Sequence, residues 1–110
     1  MTLKDFHEKY LLHDSSILSM THHEQEQTLQ ISMDFCNWMQ YWYDEKEPEV
    51  TQINLSFNGV SRFECESKDV EDSDVLEIHV MDDKTLEWVM MKDHICFLMY
   101  ITAENVEVTC

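Results

Sequence analysis

Polar and apolar residues alternate in short runs over most of this chain, and the alternation is cleanest in two places. Leu29, Ile31, Met33 and Phe35 interleave with Thr28, Gln30, Ser32 and Asp34, and Ile53, Leu55 and Phe57 interleave with Gln52, Asn54 and Ser56. A period of two puts one set on a buried face and the other in water, so both runs predict half-buried strands. Further strands are predicted over 17–23, 60–65, 76–80, 86–91, 95–101 and 106–108. In the first of these, Leu18 and Met20 fall on one face and Ile17 on the other. Residues 95–101 are apolar on both faces, which predicts a strand covered on both sides, central or beneath a helix. Helical spacing occurs once, in Leu3, Phe6, Tyr10 and Leu11. Thr2 can cap a helix over 2–12, with Asp5 three residues on. A helix so short must pack on the sheet to persist.

Polar breaks at 13–16, 24–27, 67–74, 82–84 and 92–94 separate these runs. The chain has one glycine and one proline, so its turns must draw on Asn, Asp, Ser and Lys. Asn58-Gly59 reads as a type I′ turn pair or, since strand-like sequence follows, as a bulge. No internal repeat, linker or low-complexity segment is apparent. The predicted fold is α+β and mostly β, a single domain over 1–110. A short N-terminal helix packs on an antiparallel meander of about seven strands, as a half-open barrel or a small sandwich.

Between the two most regular strands lies a different stretch, 38–50. It holds Trp38, Tyr41, Trp42 and Tyr43, then Asp44, Glu45, Glu47 and Glu49, and the one proline, Pro48. Trp38 and Trp42 are expected to turn inward and close the end of the fold, leaving Tyr41 and Tyr43 outside. The charge is concentrated nearby. The chain carries 7 basic and 23 acidic residues, and residues 44–83 alone carry 3 basic against 13 acidic. Such a field repels phosphate backbones and anionic lipid, so nucleic acid and membrane are not expected partners, whereas a basic protein is.

Little in the sequence points to catalysis or a cofactor. The cysteines, Cys36, Cys65, Cys96 and Cys110, are far apart, and none has basic neighbours that would activate a thiol. Cys36 and Cys96 lie in apolar runs and are expected in the core. The first residues lead into a charged amphipathic segment and not an apolar h-region, so free thiols in a cytoplasmic protein are expected; two disulfides remain open if the chain is exported by another route. His22-His23 sits at a strand end, where neighbours point to opposite faces. The acids Asp69, Glu71, Asp72 and Asp74 lack the glycine and terminal glutamate of a calcium-binding loop. The pair His13-Asp14 has no further helices to supply the other ligands of a phosphohydrolase site. No metal, no cofactor and no catalytic residue is therefore assigned. Met33, Met90 and Met99 fit core positions, while Met39, Met81 and Met91 fall off the buried face.

The favoured site is a partner-binding one. Tyr41 and Tyr43 would anchor, and Asp44, Glu45, Glu47 and Glu49, with Glu64, Glu66, Asp69, Glu71, Asp72 and Asp74, would steer a basic protein. Leu12-His13-Asp14-Ser15-Ser16-Ile17-Leu18, the run Thr28-Leu29-Gln30-Ile31 and Asn58-Gly59-Val60 resemble a group of small acidic β-rich bacterial proteins. Several of these look like immunity proteins of polymorphic toxin or contact-dependent inhibition systems. The resemblance implies a non-enzymatic cytoplasmic inhibitor that binds a cognate basic toxin, such as a nuclease. It transfers no catalytic residue. The alternatives are a small hydrolase or ligand-binding barrel using the open end of the sheet, and a homodimer or higher oligomer joined through the exposed methionines.

Overall fold

Thr2 begins the ordered structure as expected. Its hydroxyl accepts a hydrogen bond from the Asp5 N–H at 3.1 Å and caps helix α1, Leu3–Lys9. The helix is four residues shorter than the predicted span, one at its start and three at its end, leaving Leu11 exposed and Leu12 buried. The computed structural model describes residues 1–110 and continues as β1 (Ser16–His23), β2 (Thr28–Cys36), β3 (Val50–Asn58), β4 (Arg62–Cys65), β5 (Ser73–Asp82), β6 (Thr85–Lys92), β7 (Ile95–Thr102) and β8 (Asn105–Thr109). All eight strands lie in one open antiparallel sheet, ordered β4-β7-β6-β5-β1-β2-β3-β8.

That order contains a symmetry. β1-β2-β3 and β5-β6-β7 are two meanders joined side by side at β1 and β5, and each sends its fourth strand to the far edge of the other. β4 pairs with β7 and β8 pairs with β3. The sequence carries the same symmetry, contrary to the reading that it has no repeat. Leu12-His-Asp-Ser-Ser-Ile-Leu18 and Val70-Glu-Asp-Ser-Asp-Val-Leu76 occupy equivalent places. In both copies the aspartate is left-handed, with φ of 66° at Asp14 and 63° at Asp72. This conformation suits Asp better than most side chains. The following serine, Ser15 or Ser73, is fully buried. The copies clasp each other through the backbone. Asp14 N–H donates to Val75 C=O at 2.9 Å, Asp72 N–H to Ile17 C=O at 2.8 Å, and Val75 N–H to Ser15 C=O at 2.8 Å.

Both central strands then bulge at the same point. The register slips between Ile17 and Ser19 in β1 and between Val75 and Glu77 in β5. A bulge resets which face each residue occupies. This corrects the predicted faces of β1, since Ile17 is buried opposite Met33, Met20 lies opposite the buried Ile31, and Leu18 is the extra residue.

The sheet coils until its far corners meet. Ser61 N–H donates to Thr102 C=O at 3.0 Å, and Glu104 N–H to Asn58 C=O at 3.0 Å. Gly59, at φ 64°, turns this corner; it is neither a hairpin turn nor a bulge, because the chain leaves β3 for the opposite edge of the sheet. Inside the curve, α1 contributes Leu3 and Phe6 to a core that includes Leu29, Ile31, Met33, Leu55, Phe57, Leu86, Trp88, Met90 and Met99. The Phe57 ring lies 6.5 Å from both Phe6 and Trp88, edge to face. Burial of each such large side chain is worth about 1.5–3 kcal/mol before chain entropy is counted.

Two expectations about β7 fail together. The strand is next to the edge and is not beneath α1, which packs on β5, β6 and β8. Its outer face is wet, with Cys96 exposed and not core. Tyr100, on that face, is apolar along its ring but donates its hydroxyl to Glu87 at 2.7 Å, and the Arg62 guanidinium covers it at 4.8 Å. Polar partners at the rim of an aromatic ring let an outwardly apolar pattern face solvent.

A Cβ built at Gly59 would lie 2.6 Å from Glu104 Cγ and 2.9 Å from Glu104 Cβ. Gly59→Ala is therefore expected to lower the free energy of unfolding in urea by about 1–3 kcal/mol, from left-handed strain and this clash. An unchanged unfolding midpoint would contradict the tight corner.

Candidate functional site

The two halves of the repeat differ most in one connection. β6 and β7 are joined by two residues, Asp93 and His94, both left-handed, the signature of a type I′ hairpin turn. The equivalent strands β2 and β3 are joined by thirteen residues, 37–49. These are the aromatic and acidic residues singled out from the sequence.

The long connection is built as an ordered loop. At its stem Trp38 N–H donates to Glu49 C=O at 3.2 Å, and Asn37 Nδ2 donates to Pro48 C=O at 3.1 Å. Asn37–Met39 form one 3-10 turn. Beyond them Gln40 is buried and locks the loop to the segment before β1. Its Oε1 accepts the Leu11 N–H at 2.9 Å, and its Nε2 donates to Leu11 C=O at 2.7 Å and to Cys36 C=O at 3.0 Å. The side chain thus imitates a strand neighbour for Leu11. Ser15 Oγ accepts the Cys36 N–H at 3.0 Å from the other side. Sequence reasoning passed over Gln40, since one amide in a polar loop carries no pattern of its own.

The aromatic residues divide differently from the expectation. Trp42 does turn inward, edge-on to Tyr10 at 5.6 Å. Trp38 does not close the fold and is 49% exposed; it lies in the 3-10 turn, none of whose residues is buried, and the inward position is taken by Gln40 just after it. Tyr41 is 83% exposed and stacks edge-on to Trp42 at 5.0 Å. Tyr43 is half-buried. The exposed aromatic pair of the loop is therefore Trp38 and Tyr41, not Tyr41 and Tyr43. Asp44, Glu45, Glu47 and Glu49 are all exposed and none is in an ion pair. Asp44 Oδ1 accepts the Lys46 N–H at 3.0 Å, which shapes the turn. Partial desolvation and then the carboxylates of Glu49, Glu45, Glu47 and Asp44 push the Tyr43 phenol above its ordinary pKa.

The second acidic group lies elsewhere, beside the β6–β7 turn, and most of it is structurally occupied. Glu64 pairs with Arg62 at 2.9 Å and Asp69 with Lys92 at 2.8 Å; both carboxyls are held below their ordinary pKa by those cations. Glu66 accepts the Leu98 N–H at 2.6 Å, and Asp74 accepts the Ser16 hydroxyl at 2.6 Å. Asp72 serves the clasp, and Glu71 is exposed. The groove beside α1 is lined by Glu47, whereas Glu66 and Asp69 line a depression with Asp93 and Ile95. The twelve predicted residues thus form two separate groups. Met39 and Met91 also lie in different depressions.

One histidine is flanked by two carboxylates. His79 Nδ1 lies 2.8 Å from Glu87 Oε1 and Nε2 lies 3.1 Å from Glu77 Oε2, on the exposed face of β5 and β6. The hydrogen bond to Glu87, followed by that to Glu77, raises the imidazole pKa. No group of three His, Cys, Asp or Glu side chains is placed to hold a metal ion. Burial raises the pKa of the Cys36 and Cys65 thiols, which leaves them protonated and poorly nucleophilic.

The fold and this loop together define a mostly-β domain whose two half-sheets share one design and differ by an exposed aromatic–acidic insertion. Comparison with protein-family models, curated proteins and solved structures finds no match to the chain.

Removing the Gln40 amide strands the Leu11 N–H and two carbonyls. Gln40→Ala is expected to cost about 1–3 kcal/mol of stability and to speed hydrogen exchange at Leu11; slow exchange there in the variant would contradict the lock. His79 adds a pH dependence. A raised folded pKa means its stabilisation is fully present below the unfolded value of 6.5 and fades as pH rises through the folded value. The stability difference between wild type and His79→Gln should therefore shrink as pH climbs above 6.5, and a pH-independent difference in thermal melts would refute the paired geometry.

Proposed function

We propose that this chain is a non-catalytic inhibitor that binds a basic protein through the 37–49 loop, and that its target is a cognate toxin domain, in the manner of an immunity protein. The observation that carries this reading is the asymmetry of the repeat. The second half closes the equivalent hairpin with two residues, and the first uses thirteen. Long ordered loops on a rigid sheet are where binding residues concentrate. Trp38 and Tyr41 supply exposed aromatic surface of the kind that anchors interfaces. The four unpaired carboxylates beside them supply a field that attracts a cationic partner. The chain's net charge of −16 extends that field to long range. A basic nuclease is the toxin class that this charge fits best, because an acidic surface can stand in for its polyanionic substrate.

The experiment pairs the protein with the toxin domain encoded beside its gene. Reversing Asp44, Glu45 and Glu47 to Lys should lower the association rate at low salt by roughly tenfold or more, since steering acts mainly on encounter. The melting temperature should barely move, because none of the three carboxylates is buried or in an ion pair and the one hydrogen bond lost, from Lys46 N–H to Asp44, is exposed. An unchanged association rate would sink the steering role. A neighbouring gene set devoted to metabolism, with no toxin domain that the protein protects against, would sink the immunity reading itself.

A further inference from the structure

The two halves of the sheet share very little of their joint. β1 accompanies β5 only at Ser73 and Asp74, the clasp holds Val75, and His13 Nδ1 donates to Leu76 C=O. From Glu77 to Asp82, β5 has β6 on one side and no strand on the other. Alternation across the sheet shows which backbone groups are left over. Glu66 N–H donates to Leu98 C=O at 3.0 Å, so Leu98 and Tyr100 face β4, while Phe97, Met99 and Ile101 face β6 and bond Met90, Trp88 and Leu86. Val89 and Glu87 then face β5 and bond Glu77 and His79. Ile78 and Val80 therefore aim their N–H and C=O groups away from β6, at the open side.

The chain leading into β1 would cover this side, but Gln40 draws it off by engaging both the N–H and the C=O of Leu11. Between the two lies a depression of about 310 Å³ with Tyr10, Leu11, Met39, Leu76 and Ile78 among its walls and Glu77 beside them. His7 also borders it, and burial holds that imidazole below its ordinary pKa, so it adds little positive charge at neutral pH. The same edge in the other half is covered. Met20 and His22 stand in β1 where Ile78 and Val80 stand in β5, at equal distances past the bulge. There the His22 ring packs on Phe63 of β4, 4.9 Å between centroids. Val80 meets no such ring and is 38% exposed, with Met81 exposed beside it.

An open strand edge beside an apolar depression asks for an extended backbone with apolar side chains at alternate positions. The loop decides whose backbone. Met39 belongs both to the wall of the depression and to the 37–49 loop, next to the exposed Trp38. A partner seated on the loop thus reaches β5 over one continuous surface. A second copy of this chain fits worse, since each copy carries a net charge of −16. We infer that the β5 edge at Ile78 and Val80 receives an extended segment of the basic partner protein by strand addition. This inference rests on the reading of the 37–49 loop as the surface for a basic partner. Backbone bonds to Ile78 and Val80 give the segment its register. An apolar side chain enters between Met39 and Ile78, and the alternate Lys or Arg residues lie towards Glu77 on the outer face.

The test uses the whole chain, isotope-labelled for amide exchange by NMR, and an end-blocked synthetic heptapeptide, Lys-Leu-Lys-Val-Lys-Leu-Lys. In the free protein the Ile78 and Val80 amides should exchange fast and the His79 amide, bonded to β6, slowly. Peptide at about ten times its Kd should slow Ile78 and Val80 by roughly tenfold. Val80→Pro deletes a donor from the free edge, where no internal bond is lost and proline is tolerated. It should weaken peptide binding by roughly tenfold or more in calorimetric titration, with the melting temperature near that of the wild type. Methylating two adjacent central nitrogens of the peptide blocks both of its edges and should abolish the protection on the unaltered chain, which keeps the test sound if the proline variant folds poorly. Binding that leaves exchange at Ile78 and Val80 untouched, yet is lost on reversing Asp44, Glu45 and Glu47, overturns strand addition and leaves the acidic loop standing. No peptide binding, with the toxin domain still captured in a charge-dependent way, also overturns strand addition alone. Protection of these amides that grows with protein concentration in the absence of peptide makes a second copy the occupant and overturns the assignment to a partner. Indifference of peptide and toxin domain to every change overturns this inference and the proposed function together.

Discussion

Two copies of one short motif meet at the middle of the sheet, and the rest of the chain hangs from that joint. Leu12–Leu18 and Val70–Leu76 each place an aspartate in the left-handed region, bury the next serine, and offer the backbone on either side to the other copy. Each bond is worth only about 0.5–1.5 kcal/mol net. The joint matters because of what it aligns. The paired residues are few, Ser16 with Asp74 and Ile17 with Ser73, and just beyond them both strands bulge. Those bulges send Ile17 and Val75 into the core, and the remaining strands take their faces from them.

Exchange of the fourth strands makes the halves interdependent. Without β8, the outer edge of β3 would be bare, and without β4 so would that of β7. Each half therefore completes its sheet with a piece of the other, and the crossings converge at the corner around Gly59 and Glu104. Helix α1 could not stand alone at this length. It is held by Leu3 and Phe6 inside the curve, and by the mutual backbone bonds of Met1 and Val106. The sheet's two ends, its helix and its joint are thus one mutually supporting set.

Much of this was legible in the residues. Period-two alternation located β2 and β3 almost to the residue, Thr2 marked the start of α1, and the buried methionines were placed correctly. What escaped has a physical pattern. Bulges break the alternation that would reveal them, so Ile17 and Leu18 exchanged roles. Strand order depends on crossings between distant segments, so the apolar run of β7 looked central when it lies beside the edge. The repeat hid because seven-residue copies identical only at their third, fourth and seventh residues pass below notice until their backbones are seen to coincide. The loop at 37–49 was recognised as special from its composition, but the inward turn of Gln40 and the outward turn of Trp38 follow from the 3-10 turn, which no periodicity announces. The acids from 64 to 74 looked like free charge in the sequence; Lys92 and Ser16, the partners of Asp69 and Asp74, come from distant strands, and Arg62 reaches Glu64 from two residues away on β4.

Against the symmetric frame, the insertion at 37–49 is the one large departure, and the account rests on its being a binding surface. Hydrogen–deuterium exchange of the protein, free and in the presence of the basic toxin domain proposed as its partner, tests that most directly. The account predicts slowed exchange over residues 37–52 on binding, with the clasp around Asp14 and Asp72 unaltered. Protection confined to residues 64–74 and the β6–β7 turn, with 37–52 unchanged, would contradict it.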